Sequence, residues 1–394
     1  MKRVVVGLSG GVDSAVTAHL LIQQGYEVIA VFMRNWHDET VVINNECPWI
    51  TDSNDAMLVA EHLGIPFHVL DLSVEYRERI VEYMFREYEL GRTPNPDVLC
   101  NREIKFDVFL KAAEQLKADF VATGHYVRKS ETVENGITQY HLLSGADGNK
   151  DQSYFLCQLN QAQLSKALFP IGELTKPEVR VIAAELQLPN ADKKDSQGLC
   201  FIGKVKLPVF LQQQLAPKKG RVLRIKEEFL PQLNELVVDS SQDPQVLSRP
   251  QVFSPEMCDD VGEHNGAHYY TVGQRRGLGI GGQAIPLFVV AIDVEKNIVY
   301  SAQGETHPAL ARRGLAIRNA EAHWIQESLK PSQGQVLEVD CRIRYRQPLF
   351  KATVSVGSEF TYVIFHETQY GVAKGQFAAF YIGEELIGSG AIFE

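Results

Sequence analysis

Residues 4–21, VVVGLSGGVDSAVTAHLL, run from an apolar strand pattern through a glycine-rich turn into a helical pattern. The chemistry this layout serves is anion binding. Gly7, Gly10 and Gly11 let the backbone approach a ligand closely and take dihedrals that other residues resist. The N–H groups of the turn and of the helix start then face an anion, with the helix dipole behind them. Ser9 and Ser14 add hydroxyl donors. The lysine that ends an ordinary phosphate loop is missing, and Asp13 puts a carboxylate where phosphates belong. A divalent cation between the two resolves the conflict, because magnesium is commonly bound by one carboxylate together with phosphates. The plainer alternative is a tight turn before a capped helix, with Asp13 only favouring the dipole.

Two cysteine segments also carry chemistry. In GRTPNPDVLCNREIKF, residues 91–106, two prolines hold an extended chain, and Cys100 is placed just ahead of a helix predicted over 103–117. A thiol at a helix start near Arg102 and Lys105 loses its proton more easily than a cysteine in water. Asp97, three residues earlier, is placed to move protons. In KKDSQGLCFIG, residues 193–203, Cys200 lies between two glycines with Lys193 and Lys194 upstream. Taken singly, each cysteine reads more readily as a small buried apolar residue.

The elements that must position these groups alternate in type. Apolar runs at 4–8, 28–33, 67–72 and 120–123 predict buried parallel strands, and helical patterns at 12–24, 55–63, 74–88 and 103–117 lie between them. Further helices are predicted at 161–168 and 176–186. This is an α/β pattern, a doubly wound parallel sheet. The pattern changes near residue 206. Residues 207–284 read as a small central domain, and residues 285–394, all short strands with a hairpin turn at Glu295–Asn297, read as a β-barrel. In CRIRYRQ an extended strand would put Arg342, Arg344 and Arg346 on one face, a basic rail for RNA or a merely solvated surface. GQRRGLGIGG and the 218–224 stretch add basic patches.

A chain of 394 residues implies two or three domains, and 45% hydrophobic with 22% charged residues is a soluble composition. No apolar run spans a bilayer, and the first strand leaves no room for a signal peptide, so a cytoplasmic protein without a membrane partner is expected. Six scattered cysteines without a CxxC pair fit reduced thiols. A net charge of −10 does not advertise nucleic-acid binding, which must rest on local basic patches.

SGGVDS resembles the PP-loop of ATP pyrophosphatases, which cleave ATP between the α- and β-phosphates. Such a loop grips the departing pyrophosphate, which accounts for the absent lysine. PNPDVLCNREIKF, TGHY (123–126), NKDQSYFL (149–156), DSQGLCFIG and YTVGQRRGLGIGG (270–282) together resemble one family, the tRNA-specific 2-thiouridylases.

That resemblance implies that residues 1–206 form a PP-loop ATP-binding catalytic domain and that 285–394 form a tRNA-contacting barrel. It makes 225–260 of the central domain an insertion. ATP would be held by Gly7, Leu8, Ser9, Gly10, Gly11, Val12, Asp13, Ser14, Met33 and Gly124, with Mg2+ on Asp13. Asn95, Pro96 and Asp97 would meet the target base. Cys100 corresponds to the nucleophile, Cys200 to the persulfide cysteine and Asp97 to the acid/base. His125, Lys150, Asp151, Gln152, Arg344, Tyr345 and Gln376 correspond to tRNA contacts. The implied partners are tRNA and a sulfur donor, either a cysteine desulfurase or a sulfur relay protein. No zinc site is visible; an iron–sulfur cluster on two cysteines and a carboxylate stays open. Two rival functions stay open as well: a PP-loop ligase acting on a small molecule, and a non-catalytic tRNA-binding protein.

Overall fold

The computed structural model describes residues 1–35, 48–195, 207–237 and 241–394. Its first sheet is wholly parallel, in the order Phe67–Asp71, Glu27–Arg34, Arg3–Gly7, Phe120–Ala122, Ala167–Leu168. Val4, Val5 and Val6 are fully buried, as an unbroken β-branched run must be when helices cover both faces. The chain passes from Arg3–Gly7 to one neighbouring strand first and returns much later to the other. The crevice at the carboxyl end of Arg3–Gly7 is therefore a topological switch point, where ligands of such sheets bind. The glycine loop fills that position, followed by the helix Val12–Gln23.

The four predicted strands and the helices of the first half are present, with one shift that matters. The helix expected from residue 103 begins earlier, at Pro96. It runs as Pro96–Leu99, a widened π stretch Cys100–Val108, and Phe109–Gln115. Asn95 caps it by accepting from the Val98 N–H at 3.2 Å, and Pro96 occupies its first position, where no N–H is needed.

Two strand placements differ from expectation. A hairpin, Val127–Glu134 with Ile137–Ser144, interrupts the first half. Its turn is Asn135-Gly136, with φ of 51° and 78°, the mirror-image geometry that matches strand twist. This hairpin pairs with Glu385–Ile392 and so extends the C-terminal sheet. That sheet closes on itself through Ala311–Trp324 and Glu385–Ile392 into a six-strand barrel, with the hairpin appended.

The second difference corrects the domain boundary placed at 284/285. The hairpin Leu287–Asp293 with Ile298–Gln303 forms as expected, but it belongs to the central sheet. Ile298–Gln303 runs parallel to Gly220–Ile225, which in turn pairs with Cys258–His264. Val222, Val289 and Val299 share one core. Alternation marks a strand but does not say which sheet it joins. The 225–260 stretch contains the helices Leu230–Val237 and Pro244–Leu247. Leu233 enters the core of the central sheet, while the Arg312 guanidinium of the barrel donates to the Ser248 carbonyl.

Candidate active site

The loop is shaped by close backbone approaches and by a few side-chain hydrogen bonds. Gly10 has φ +75°, and a Cβ there would collide with the Asp52 carbonyl. A Cβ on Gly124 would lie 2.8 Å from the Ser14 nitrogen, so the TGHY turn presses directly on the loop. Ser14 Oγ accepts from the Ser9 N–H and donates to the Gly11 carbonyl, both at 3.1 Å, and Asn190 Nδ2 donates to the Gly10 carbonyl at 3.0 Å. Gly11 caps the helix in an extended conformation, and among the described residues no side chain caps its first-turn N–H groups. Those donors are left for an anion.

Behind the loop, Met33 Cε lies 3.0 Å from where a Cβ on Gly7 would be. Asn35, just past the end of the same strand and 1% exposed, has no partner for its amide nitrogen or oxygen among the described residues. An orphaned buried amide is unfavourable, and it suits the polar edge of a base. The residues present therefore fit a nucleotide.

Asp13 is the electrostatic centre of the loop. Its Oδ1 accepts from Tyr126 Oη and from Lys176 Nζ, both at 2.7 Å. Lys176 also pairs with Asp195 at 2.7 Å, which Lys150 and Arg180 reach at 2.6 and 3.0 Å. Burial, reinforced by the Asp13 charge, raises the Tyr126 phenol far above its ordinary value, so it is a donor at every working pH. Burial opposes the charge of Asp195, but hydrogen bonds from Lys150 and Lys176 prevail and hold its carboxyl below the usual range. Among the described residues no three His, Cys, Asp or Glu side chains gather as a metal site. No iron–sulfur ligand set forms within those residues.

Sequence reasoning missed Tyr126, Asn190 and Lys176. One signal was available for the last. Lys176 opens the helix Lys176–Glu185 behind a Thr175/Glu178 capping box. A cation at the positive end of a helix works against the dipole and needs an anion nearby.

The thiol side is arranged differently. With the helix starting at Pro96, Cys100 lies in its second turn rather than ahead of it, and Asp97 takes the first turn. The expected dipole activation of the thiol is correspondingly weaker, since the effect fades past the first turn. Cys100 is fully buried, in one core with Met33, Phe106, Tyr154, Cys157 and Phe377. Asn101 Nδ2 ties this helix to the 151–156 turn by donating to the Phe155 carbonyl at 3.0 Å. Cys200 lies outside the described residues.

The segment leading to Cys100 is held by all three domains. The Thr93 N–H donates to the Lys374 carbonyl at 2.8 Å, and its hydroxyl donates to Thr271 Oγ1 at 3.0 Å. Gln376 accepts from Asn95 Nδ2 at 3.3 Å and donates to the Thr93 and Pro94 carbonyls at 2.9 and 3.2 Å.

The other residues expected to meet RNA are scattered in role. Lys150 is brought to the nucleotide side through Asp195. His125 is buried between Phe106 and Phe169 with Nδ1 2.7 Å from Thr123 Oγ1, and burial, aided by the Lys105 charge, pushes its pKa well down. Asp151, 5% exposed, accepts from the N–H groups of Gly145 and Ser153 and from Arg342 Nη1 at 3.0 Å. Gln152 Oε1 accepts from the Tyr126 N–H at 3.0 Å.

The proposed arginine rail does not form. The strand Val336–Arg342 ends at its first arginine. Arg342 turns inward to Asp151. Arg344 donates to the carbonyls of Gly371 and Val272, joining barrel to central domain. Only Arg346 of the three is exposed, at φ 63°, with its guanidinium 5.1 Å from the Tyr345 ring. Tyr345 in turn packs on Phe155 at 4.3 Å between centroids. A cation over stacked aromatics is an arrangement suited to an unpaired base.

A parallel sheet with a glycine loop at its switch point, a carboxylate in that loop and no loop lysine defines a nucleotide-binding domain of the PP-loop class. Three domain families match in order: the tRNA methyl transferase HUP domain over residues 2–204, the tRNA methyl transferase PRC-barrel domain over 249–303, and the aminomethyltransferase beta-barrel domain over 314–392. Whole-chain similarity is more specific. The chain is 59% identical to the tRNA-specific 2-thiouridylase MnmA of Flavobacterium johnsoniae and 57% identical to that of Christiangramia forsetii, each over all of both chains. It is 45% identical to the MnmA of Streptococcus thermophilus over 99% of this chain and 95% of that one. The chain belongs to the tRNA-specific 2-thiouridylase family.

Proposed function

We infer that the protein is a tRNA uridine 2-sulfurtransferase, converting the wobble uridine of tRNA to 2-thiouridine at the expense of ATP. The observation that carries this is the likeness to 2-thiouridylases along the entire chain, across both thiol segments and all three domains. Bound ATP supplies the AMP group that turns the uracil 2-oxygen into a leaving group, with magnesium sharing the pyrophosphate charge. The loop N–H groups and Ser9 and Ser14 would hold the phosphates, Asp13 would hold a magnesium ion that shares their charge, and Met33, Asn35 and Gly124 would flank the nucleoside.

Asn95, Pro96 and Asp97 receive the extruded base. The uracil oxygen bonds to the α-phosphorus as the α–β bridge breaks, the electron pair leaves on pyrophosphate, and Asp97 takes the N3 proton. The terminal sulfur of a Cys200 persulfide then bonds to C2, and AMP departs with the former uracil oxygen. Cys100 thiolate attacks Cys200 Sγ, the S–S pair stays with the product sulfur, and a Cys100–Cys200 disulfide remains for a thiol reductant. In the other order Cys100 first releases hydrosulfide, which then attacks C2; the balance is the same. A desulfurase or relay protein reloads Cys200. Lys150, the Tyr345–Arg346 stack and Gln376 support the RNA. Among the described residues no helix is long and apolar enough to cross a membrane, which agrees with a cytoplasmic enzyme on a soluble RNA.

The test supplies ATP, magnesium, a sulfur source and unmodified tRNA and measures the thiolated nucleoside by mass. Native protein is expected to yield product and Cys200→Ser none. Equal product from both overturns the persulfide role.

A further inference from the structure

A groove where the three domains meet stands apart from the site already described. It encloses about 400 Å3 between Gly91 and Thr93 of the nucleotide domain, residues 250–253 and 290–295 of the central domain, and residues 372–374 with Leu310 and Arg312 of the barrel. None of its lining residues belongs to the glycine loop or to the Cys100 helix. Val290, Leu310 and Val372 line it as buried side chains, and Val252 stands exposed at 86%. Gly91 has φ +70°, and a Cβ there would lie 2.9 Å from Val294 Cγ1. The nucleotide domain and the central hairpin therefore meet here without a side chain between them.

The charge around the groove is uneven. The barrel supplies Arg312 and Lys374. Glu394 acts on both without forming an ion pair with either. Arg312 gives one N–H to the Ser248 carbonyl, but its Nε has no partner among the described residues, and neither does the buried Tyr300 Oη. Desolvation lowers the Arg312 guanidinium to about 10. It lowers Lys374 as well; the Glu394 charge works against that, while Arg312 and Arg92 add to it. The central domain supplies Asp293 and Glu295. Asp293 is taken by Lys296 of its own turn, through the N–H at 2.8 Å and the ammonium at 3.4 Å, and Glu295 is exposed. Two crowded cations with no carboxylate paired to them are relieved by an anion, and an aliphatic lining beside them favours one that carries hydrocarbon.

We propose that this groove is a second ligand site, for a small organic anion: a carboxylate held by Arg312 and Lys374, on a hydrocarbon body that packs against Val290, Leu310 and Val372. A pocket of this size at a domain junction, mostly apolar with a few polar groups to fix orientation, has the form of a small-molecule site. An occupant touches all three domains at once. It also lies against Thr93, whose N–H and hydroxyl already join the nucleotide domain to Lys374 and Thr271. Binding therefore strengthens the clamp on the segment that leads to Asn95.

The experiment titrates phenylbutyrate, its neutral amide and inorganic phosphate into full-length native, K374Q and V252E proteins by calorimetry. Both substitutions fall at exposed positions, and Val252→Glu sets a carboxylate on the groove to repel an anion. Native protein is expected to bind phenylbutyrate at least about fivefold more tightly than the amide or phosphate, and each variant to lose about fivefold. ATP affinity in both variants is expected to stay within about twofold of native, and saturating ATP to leave phenylbutyrate binding unchanged. No binding of phenylbutyrate by native protein overturns the proposal, as does equal binding of the amide or of phosphate, or native affinity in both variants. Displacement by ATP places the probe in the nucleotide site, and displacement by unmodified tRNA gives the groove to RNA; either result overturns the proposal too. Should one variant fail to fold, the other decides.

Discussion

The nucleotide half and the thiol half of the site lie in one domain and are built on opposite plans. The loop is open: Ser9 is exposed, Gly11 and Asp13 are half-exposed, and the first-turn N–H groups of its helix are uncapped. Cys100 is sealed in a core shared with Tyr154, Phe377 and Tyr381, residues fastened to the barrel. Burial pushes the Cys157 thiol of that same core up to about 12, so it stays protonated at neutral pH. The contrast teaches that an anion site made of backbone and ion pairs stands ready before its ligand arrives. A thiol sealed in a core, by contrast, meets a ligand only if its neighbours move.

The sharpest test removes the sealed thiol. Cys100→Ala is expected to bring thiolated nucleoside below detection while calorimetric ATP affinity stays within twofold of native. Product from this variant would break the division of labour between the halves. Next in size is the buried ion pair that ties residue 151 to the barrel. Asp151→Asn leaves Arg342 buried beside a neutral amide, and breaking such a pair costs about 3–5 kcal/mol in urea unfolding. A loss under about 1 kcal/mol, in the range of exposed pairs, would mean that other contacts hold this junction.

His125 supplies a pH test. Its folded pKa lies below the ordinary 6.5, so below that pH the unfolded chain binds the extra proton and stability falls as pH drops. The slope is about 1.4 kcal/mol per pH unit for one group. Unfolding free energies from urea titrations at pH 7, 6 and 5 should fall with pH in the native protein, through His125 and the other buried histidines, and fall less steeply in His125→Gln. Equal slopes would remove His125 from the buried wall between the halves. The smallest effect is expected at the seam. Gln376→Ala deletes three hydrogen bonds to residues 93–95 and should raise the KM for tRNA several-fold, about 1 kcal/mol, with kcat for the bound substrate little changed.

Much of this was legible in the residues. The loop, its sheet position and the helix behind it follow from periodicity and glycine chemistry, because local sequence determines them. The start of the Cys100 helix lies upstream of its apolar periodicity, because Asn95-Pro96 supplies a cap and a first-turn proline although prolines also favour extended chain. The hairpin at 127–144 has its local signal in the Asn135-Gly136 turn, set between polar strands that lack the apolar runs of the parallel sheet. Strand alternation at 342–346 was overridden by partners far away in sequence, Asp151, Val272 and Gly371, which no local pattern contains. Lys176 was hidden for the same reason: its importance lies in Asp13, across the fold.

The strand pairing of Ile137–Ser144 with Glu385–Ile392 has a consequence for biogenesis. During translation the early hairpin emerges with a bare edge and waits for a neighbour made much later. Until then its backbone groups, and Val133 and Ile137 at its exposed tip, are available to pair with another nascent chain. Truncations within the last strand should therefore reveal themselves first as association between chains through that hairpin, before any loss of the nucleotide domain.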